Sequence, residues 1–92
     1  MKLTPTQQKV YDELVRQVNE ARECENYDEY WNKYFSNRFQ AHWKPVFEKD
    51  YLDATNGIIS IYRAKHETLK KLETLGLVKI IKIETNLIQL ID

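Results

Sequence analysis

Seven residues near the C-terminal end have the chemistry to hold a polyanion. Lys65, His66, Lys70, Lys71 and Thr74 lie within "KHETLKKLET", and Lys79 and Lys82 follow in "LVKIIKIE". Ammonium groups neutralise phosphates, while imidazole and hydroxyl groups can hydrogen-bond base edges in a major groove. On a helical wheel at ~100° per residue, Leu72 and Leu75 fall within ~120° of Leu69, with Thr68 between them. His66, Glu67, Lys70, Lys71 and Thr74 occupy the far side. A helix over 65–75 would thus have an apolar face and a basic one. The same lysines also suit a merely solvated face, and Glu67 and Glu73, interspersed among them, would repel phosphate. Under strict strand alternation Lys79 and Lys82 point to opposite faces, so at most one of them is a natural second contact unless the strand twists strongly.

Other chemistry finds little support. Cys24 lies in an acidic stretch that disfavours the thiolate. His42 and His66 show no metal-ligand spacing with it, so no metal site is expected. Gly57 and Gly76 are the only glycines, so no phosphate-cradling loop can form and no cofactor is expected. No nucleophile has a base in evident reach, and no enzymatic activity is expected.

Ninety-two residues predict one domain. A single cysteine allows no internal disulfide and fits a reducing compartment. The opening "MKLTPTQQKVYDEL" lacks an apolar signal region, and no apolar run is long enough to span a bilayer, so a cytoplasmic location is expected. Net charge is zero, which weighs against coating DNA by bulk electrostatics. The charge is nonetheless segregated. Residues 12–29 hold seven acids against Arg16 and Arg22, a net of −5; residues 63–82 hold six bases against Glu67 and Glu73, a net of +4. Such asymmetry can give a neutral chain a local polyanion-binding face.

The elements that must position these residues can be placed from their ends. Thr4, Pro5 and Gln7 form a capping-box start, and Val10, Leu14, Val18 and Ala21 make one buried stripe on a helix ending near 23–25. Asn26 can cap a second helix, along which Tyr27, Tyr30, Trp31, Tyr34, Phe35 and Phe39 keep helical spacing. Pro45 interrupts it, and a third helix over 45–56 stops at Asn56-Gly57. "GIISIYR" changes period and predicts a strand over 58–63. Gly76 ends the helix over 65–75. Two alternating runs joined at Thr85-Asn86 then form a β-hairpin over 78–91. The expected class is α+β: three N-terminal helices, a strand, the basic helix and the hairpin. Strand and hairpin would form a small three-stranded antiparallel sheet under helix 65–75. The aromatic stripe could be core laid across the first helix, a stacking surface for bases, or a partner interface at Tyr27, Tyr30, Trp31, Tyr34 and Phe35.

"TLKKLETLGLVKI" resembles the end of the recognition helix and the start of the wing in winged helix-turn-helix domains, and "LTPTQQKVYDELV" resembles their opening helix. "NGIISIYRAKHETLKKLETLGLVKI" is also similar to small proteins of bacteria and their phages or mobile elements. The resemblance covers residues 4–23 and 57–91. It implies a DNA-binding accessory or transcription-regulator-like protein, with helix 65–75 in the groove of double-stranded DNA and hairpin 78–91 as wing. Lys65, His66, Lys70, Lys71, Thr74, Lys79 and Lys82 would then be the contacts. A standard winged helix has a positioning helix directly before the recognition helix, where this chain has a strand. Helix 45–56 would serve from a greater distance, and residues 26–56 read as a helical insertion. Because winged helices also act as protein-interaction modules, the alternative is an adaptor or inhibitor that binds a protein, as a homodimer or with another chain, and no DNA.

Overall fold

The computed structural model describes residues 2–92. Among them lie α1 (Pro5–Glu23), α2 (Tyr27–Tyr34), a 3-10 turn (Ala41–Trp43), α3 (Lys44–Thr55), β1 (Ile58–Ser60), α4 (His66–Thr74), β2 (Val78–Lys82), a second 3-10 turn (Ile83–Thr85) and β3 (Leu87–Leu90). The fold is α+β, with four helices and a three-stranded antiparallel sheet of order β1-β3-β2.

The start of α1 is the capping box that its sequence predicts. Thr4 Oγ1 accepts from the Gln7 amide at 3.2 Å, and Gln7 Oε1 accepts from the Thr4 amide at 3.1 Å. Leu14, Val18 and Ala21 form its buried stripe, while Val10, expected in the same stripe, is only partly buried against the core. The stripe meets Tyr51 and Ala54 of α3, Leu69 and Leu72 of α4, and Ile59, Val78 and Ile88 of the sheet in one core. The order of strand, helix and hairpin is thus built on a shared apolar centre.

α2 differs from expectation in length and in partner. It stops at Tyr34, where helical spacing extends to Phe39. Ser36 Oγ turns back to donate to the Asn32 carbonyl at 2.8 Å, a local bond that competes with helix propagation. The chain then folds so that Phe35 stacks on Phe47 at 5.9 Å with an interplanar angle of 5°. α2 packs chiefly on α3 rather than across α1. The Tyr27 hydroxyl donates to the Lys44 carbonyl and ties the two together. Pro45 sits in the first turn of α3, where its missing N–H costs nothing.

β1 is half as long as the strand expected over 58–63. Its pairing with β3 ends at Ser60↔Leu87. Beyond that point Asn86 captures the chain. Its side-chain nitrogen donates to the carbonyls of Ile61 at 2.8 Å, Ala64 at 2.8 Å and, more weakly, Tyr62 at 3.3 Å. Residues 61–65 therefore form a pinned loop that leads into α4. Gly57, just before β1, needs its lack of side chain. It has φ of 84°, and a Cβ there would stand 3.3 Å from the Leu90 carbonyl oxygen.

A candidate nucleic-acid interface

α4 presents the faces that its spacing predicts, except at one end. Leu69 and Leu72 are fully buried and Thr68 nearly so. Leu75, expected as the third core leucine, caps the helix and is only half-buried. The apolar stripe therefore runs out one turn early, where Gly76 with φ of 79° reverses the chain toward β2. On the opposite side His66, Glu67, Lys70, Lys71 and Thr74 are exposed; Lys65 at the N-cap and Glu73 beside the apolar stripe are exposed too.

Two of these polar groups already have partners. Thr74 Oγ1 donates to the Lys70 carbonyl at 2.9 Å, so its hydroxyl keeps only acceptor capacity for an outside group. Glu73 Oε2 accepts from the Ile80 amide at 2.8 Å. That amide points away from β3, along the open edge of the sheet. The carboxylate thus closes part of an edge that could otherwise pair with another strand, and it fixes α4 to β2.

The hairpin corrects the expectation for its lysines. Lys79 pairs with Gln89 and Ile80 with Ile88, but Lys82 pairs with Leu87. Ile81 is the extra residue of a β-bulge. The bulge resets the alternation and puts Lys79 and Lys82 on the same face of the sheet, not on opposite ones. Val78 and Ile88 on the other face pack with Leu69 and Leu72. The hairpin lysines thus lie on the side of the sheet away from α4, and the two basic sets flank the β2 edge from either side. Lys82 directly precedes the hairpin tip at Ile83–Thr85.

The ion pairs are confined to cations between residues 16 and 49, although Lys2, Lys9 and Arg38 form none among the described residues. Among the described residues, pairs form at Arg16, Arg22, Lys33, Lys44 and Lys49. Arg63, Lys65, Lys70, Lys71, Lys79 and Lys82 take part in none of them. The sequence alone does not show this: Glu67 has the spacing to pair with Lys70 or Lys71, and Glu73 neighbours Lys70.

The aromatic residues are mostly absorbed by the fold. Trp31 is 4% exposed, and Tyr27, Tyr30, Tyr34 and Phe35 are half-buried. Tyr30 lies 4.9 Å from Tyr51, ring centre to ring centre, and its phenol is pushed up to about 12, chiefly by burial and then by Glu20. A groove of 280 Å³ lies between this cluster and β1, lined in part by Phe47, Asp50, Asp53 and Leu87. Burial, and then the neighbouring Asp53, hold the Asp50 carboxyl above the usual range. Trp43 and Val46, at 44% and 57% exposure, continue the apolar surface at the start of α3.

Cys24 is buried and its thiol is pushed up by that burial and by nearby carboxylates, Glu29 first. No group of three or more metal-binding side chains converges among the described residues, and none of their helices is long and apolar enough to cross a membrane. Compared with family models, curated proteins and solved structures, the chain matches none of them.

Proposed function

We propose that the chain is a winged-helix-like DNA-binding accessory or regulator that engages duplex DNA through the outer face of α4. One observation carries this reading: the six cations between residues 63 and 82 are exposed and free of ion pairs among the described residues, whereas every cation that does pair lies between Arg16 and Lys49. Unpaired cations cost least to bring to a phosphate, because no internal partner must first be given up. Lys65, Lys70 and Lys71 supply backbone contacts. His66, the first residue of α4, stands where recognition helices meet base edges. Thr74 contributes as an acceptor only. Lys79 and Lys82 both lie on the far side of the sheet, but Lys82 adjoins the hairpin tip and is the nearer wing contact, whereas Lys79 contributes mainly to the surrounding potential. The test is an electrophoretic mobility shift with random duplexes at low and moderate salt. A salt-sensitive shift supports the proposal, and a folded protein that shifts no duplex at low salt overturns it.

The second reading, a protein-binding adaptor or inhibitor, is favoured by Trp43 and Val46. Their exposed apolar side chains adjoin the acidic groove at Asp50 and Asp53 and suit a basic, apolar segment of a partner.

A further inference from the structure

Tyr62 is 81% exposed, the most of any large hydrophobic side chain left at the surface of the described residues. The ring does not hang from a loose loop. Asn86 Nδ2 holds the carbonyls on both sides of it, the Ile61 amide donates to the Asn86 carbonyl at 3.1 Å, and the Ala64 amide donates to the Ile61 carbonyl at 3.1 Å. The backbone that presents Tyr62 is therefore pinned, while its ring stands in the open.

Beside this ring runs a groove of 670 Å³ between the first half of α1 and residues 60–65. Lys9 lines it from α1, and Arg63 and Lys65 line it from the loop. All three are exposed, and none forms an ion pair among the described residues. Val10 and Ile61 give it an apolar floor. Glu13 is the one acid in the wall. Its carboxylate is already taken by Arg16 Nε at 3.2 Å and Gln17 Nε2 at 2.7 Å, and Arg16 holds its carboxyl below the usual range. The groove therefore has net positive character around an open aromatic ring.

An open ring flanked by three unpaired cations complements a base whose face is free and whose phosphates run alongside. A duplex hides its base faces within the stack and cannot use such a ring. We propose that this groove binds single-stranded nucleic acid, with a base stacked on Tyr62 and phosphates at Lys9, Arg63 and Lys65. This site stands whether or not the outer face of α4 binds duplex DNA. Lys65 belongs to both surfaces, so the variants that separate them leave it untouched.

The test is a fluorescence anisotropy titration of the full chain with a labelled oligothymidylate of about ten nucleotides, run beside a labelled hairpin duplex. Three phosphate contacts at about −0.7 each predict a slope of log affinity against log salt near −2. Tyr62→Ala should weaken oligothymidylate binding by about 5- to 150-fold, the range expected for one lost stacking contact. Tyr62→Phe should retain it, since the ring and not the hydroxyl carries the contact. Neither change should move duplex binding. Lys70→Gln with Lys71→Gln should leave oligothymidylate binding unchanged. Tyr62 is so exposed that its variants should keep the parent's circular dichroism and melting midpoint. The proposal is overturned if the folded parent does not bind oligothymidylate at low salt, or if folded Tyr62→Ala binds it as the parent does. Oligothymidylate binding without duplex binding would leave this site standing and remove the α4 reading; the opposite pattern would do the reverse.

Discussion

Asn86 illustrates how one residue can connect parts of a chain that its sequence neighbourhood does not connect. It sits at the hairpin tip with φ of 53°, a left-handed conformation that asparagine tolerates better than most residues. From there its amide holds the loop before α4, more than twenty residues away in sequence. Replacing it by alanine leaves the Ala64 and Tyr62 carbonyls without this donor and the Ile61 carbonyl with the Ala64 amide alone; a buried polar group left unsatisfied costs about 1–3 kcal/mol. Asn86→Asp should be worse than Asn86→Ala, because a carboxylate would face carbonyl oxygens with no proton to share. Urea midpoints in the order parent, alanine, aspartate would confirm this, and an aspartate variant as stable as the parent would refute it. Glu73 makes a different separation. As glutamine it keeps an acceptor for the Ile80 amide but loses its charge beside Lys70. Glu73→Gln should leave the melting midpoint close to the parent's while tightening duplex binding. Equal or weaker binding by that variant would show that phosphates do not pass near α4.

At the scale of elements, local signals were legible in the sequence and non-local ones were not. The Thr4–Gln7 box, the Leu14–Val18–Ala21 stripe and the Leu69–Leu72 pair depend on residues three or four apart, and the structure has them as expected. The bulge at Ile81 depends on which residue of β3 stands opposite, and no pattern within "LVKIIKIE" specifies that. The short β1 has the same cause, since Asn86 ends it from across the sheet. α2 gave the right face but the wrong end, because aromatic spacing persists through a turn as readily as through a helix. Leu72 tests the part that was legible. Its truncation to alanine should cost ~2–5 kcal/mol and sharply lower the urea midpoint; a midpoint unchanged within error would place it outside the core. The aromatic cluster predicts an alkaline response. A free tyrosine titrates near ~10, while the Tyr30 phenol is pushed up to about 12. Between those values the unfolded chain has released a proton that the folded chain keeps. Stability should therefore fall as pH rises through that window. Tyr30→Phe should reduce this dependence, and a variant with the parent's full alkaline slope would contradict the assignment to Tyr30.

At the scale of the whole molecule, zero net charge conceals two unlike surfaces. The acids of α1 and α2 and the cations that pair with them make one. The unpaired cations of residues 63–82 make the other, and the β2 edge divides it into an α4 side and a hairpin side. The candidate residues were legible as a set, and all seven are exposed. Their arrangement was not legible, because it follows from the bulge. If duplex DNA lies on the α4 side, it meets Lys65, Lys70 and Lys71 together with Lys82 near the tip, and Lys79 should matter least. The most direct measurement is the dependence of duplex affinity on salt for the parent and for Lys70→Gln with Lys71→Gln. Three or four phosphate contacts predict a slope of log affinity against log salt of roughly −3 to −4 for the parent, flattened by about 2 in the double variant, with all sequences weakened alike. A folded double variant with the parent's slope and affinity would contradict duplex recognition by α4.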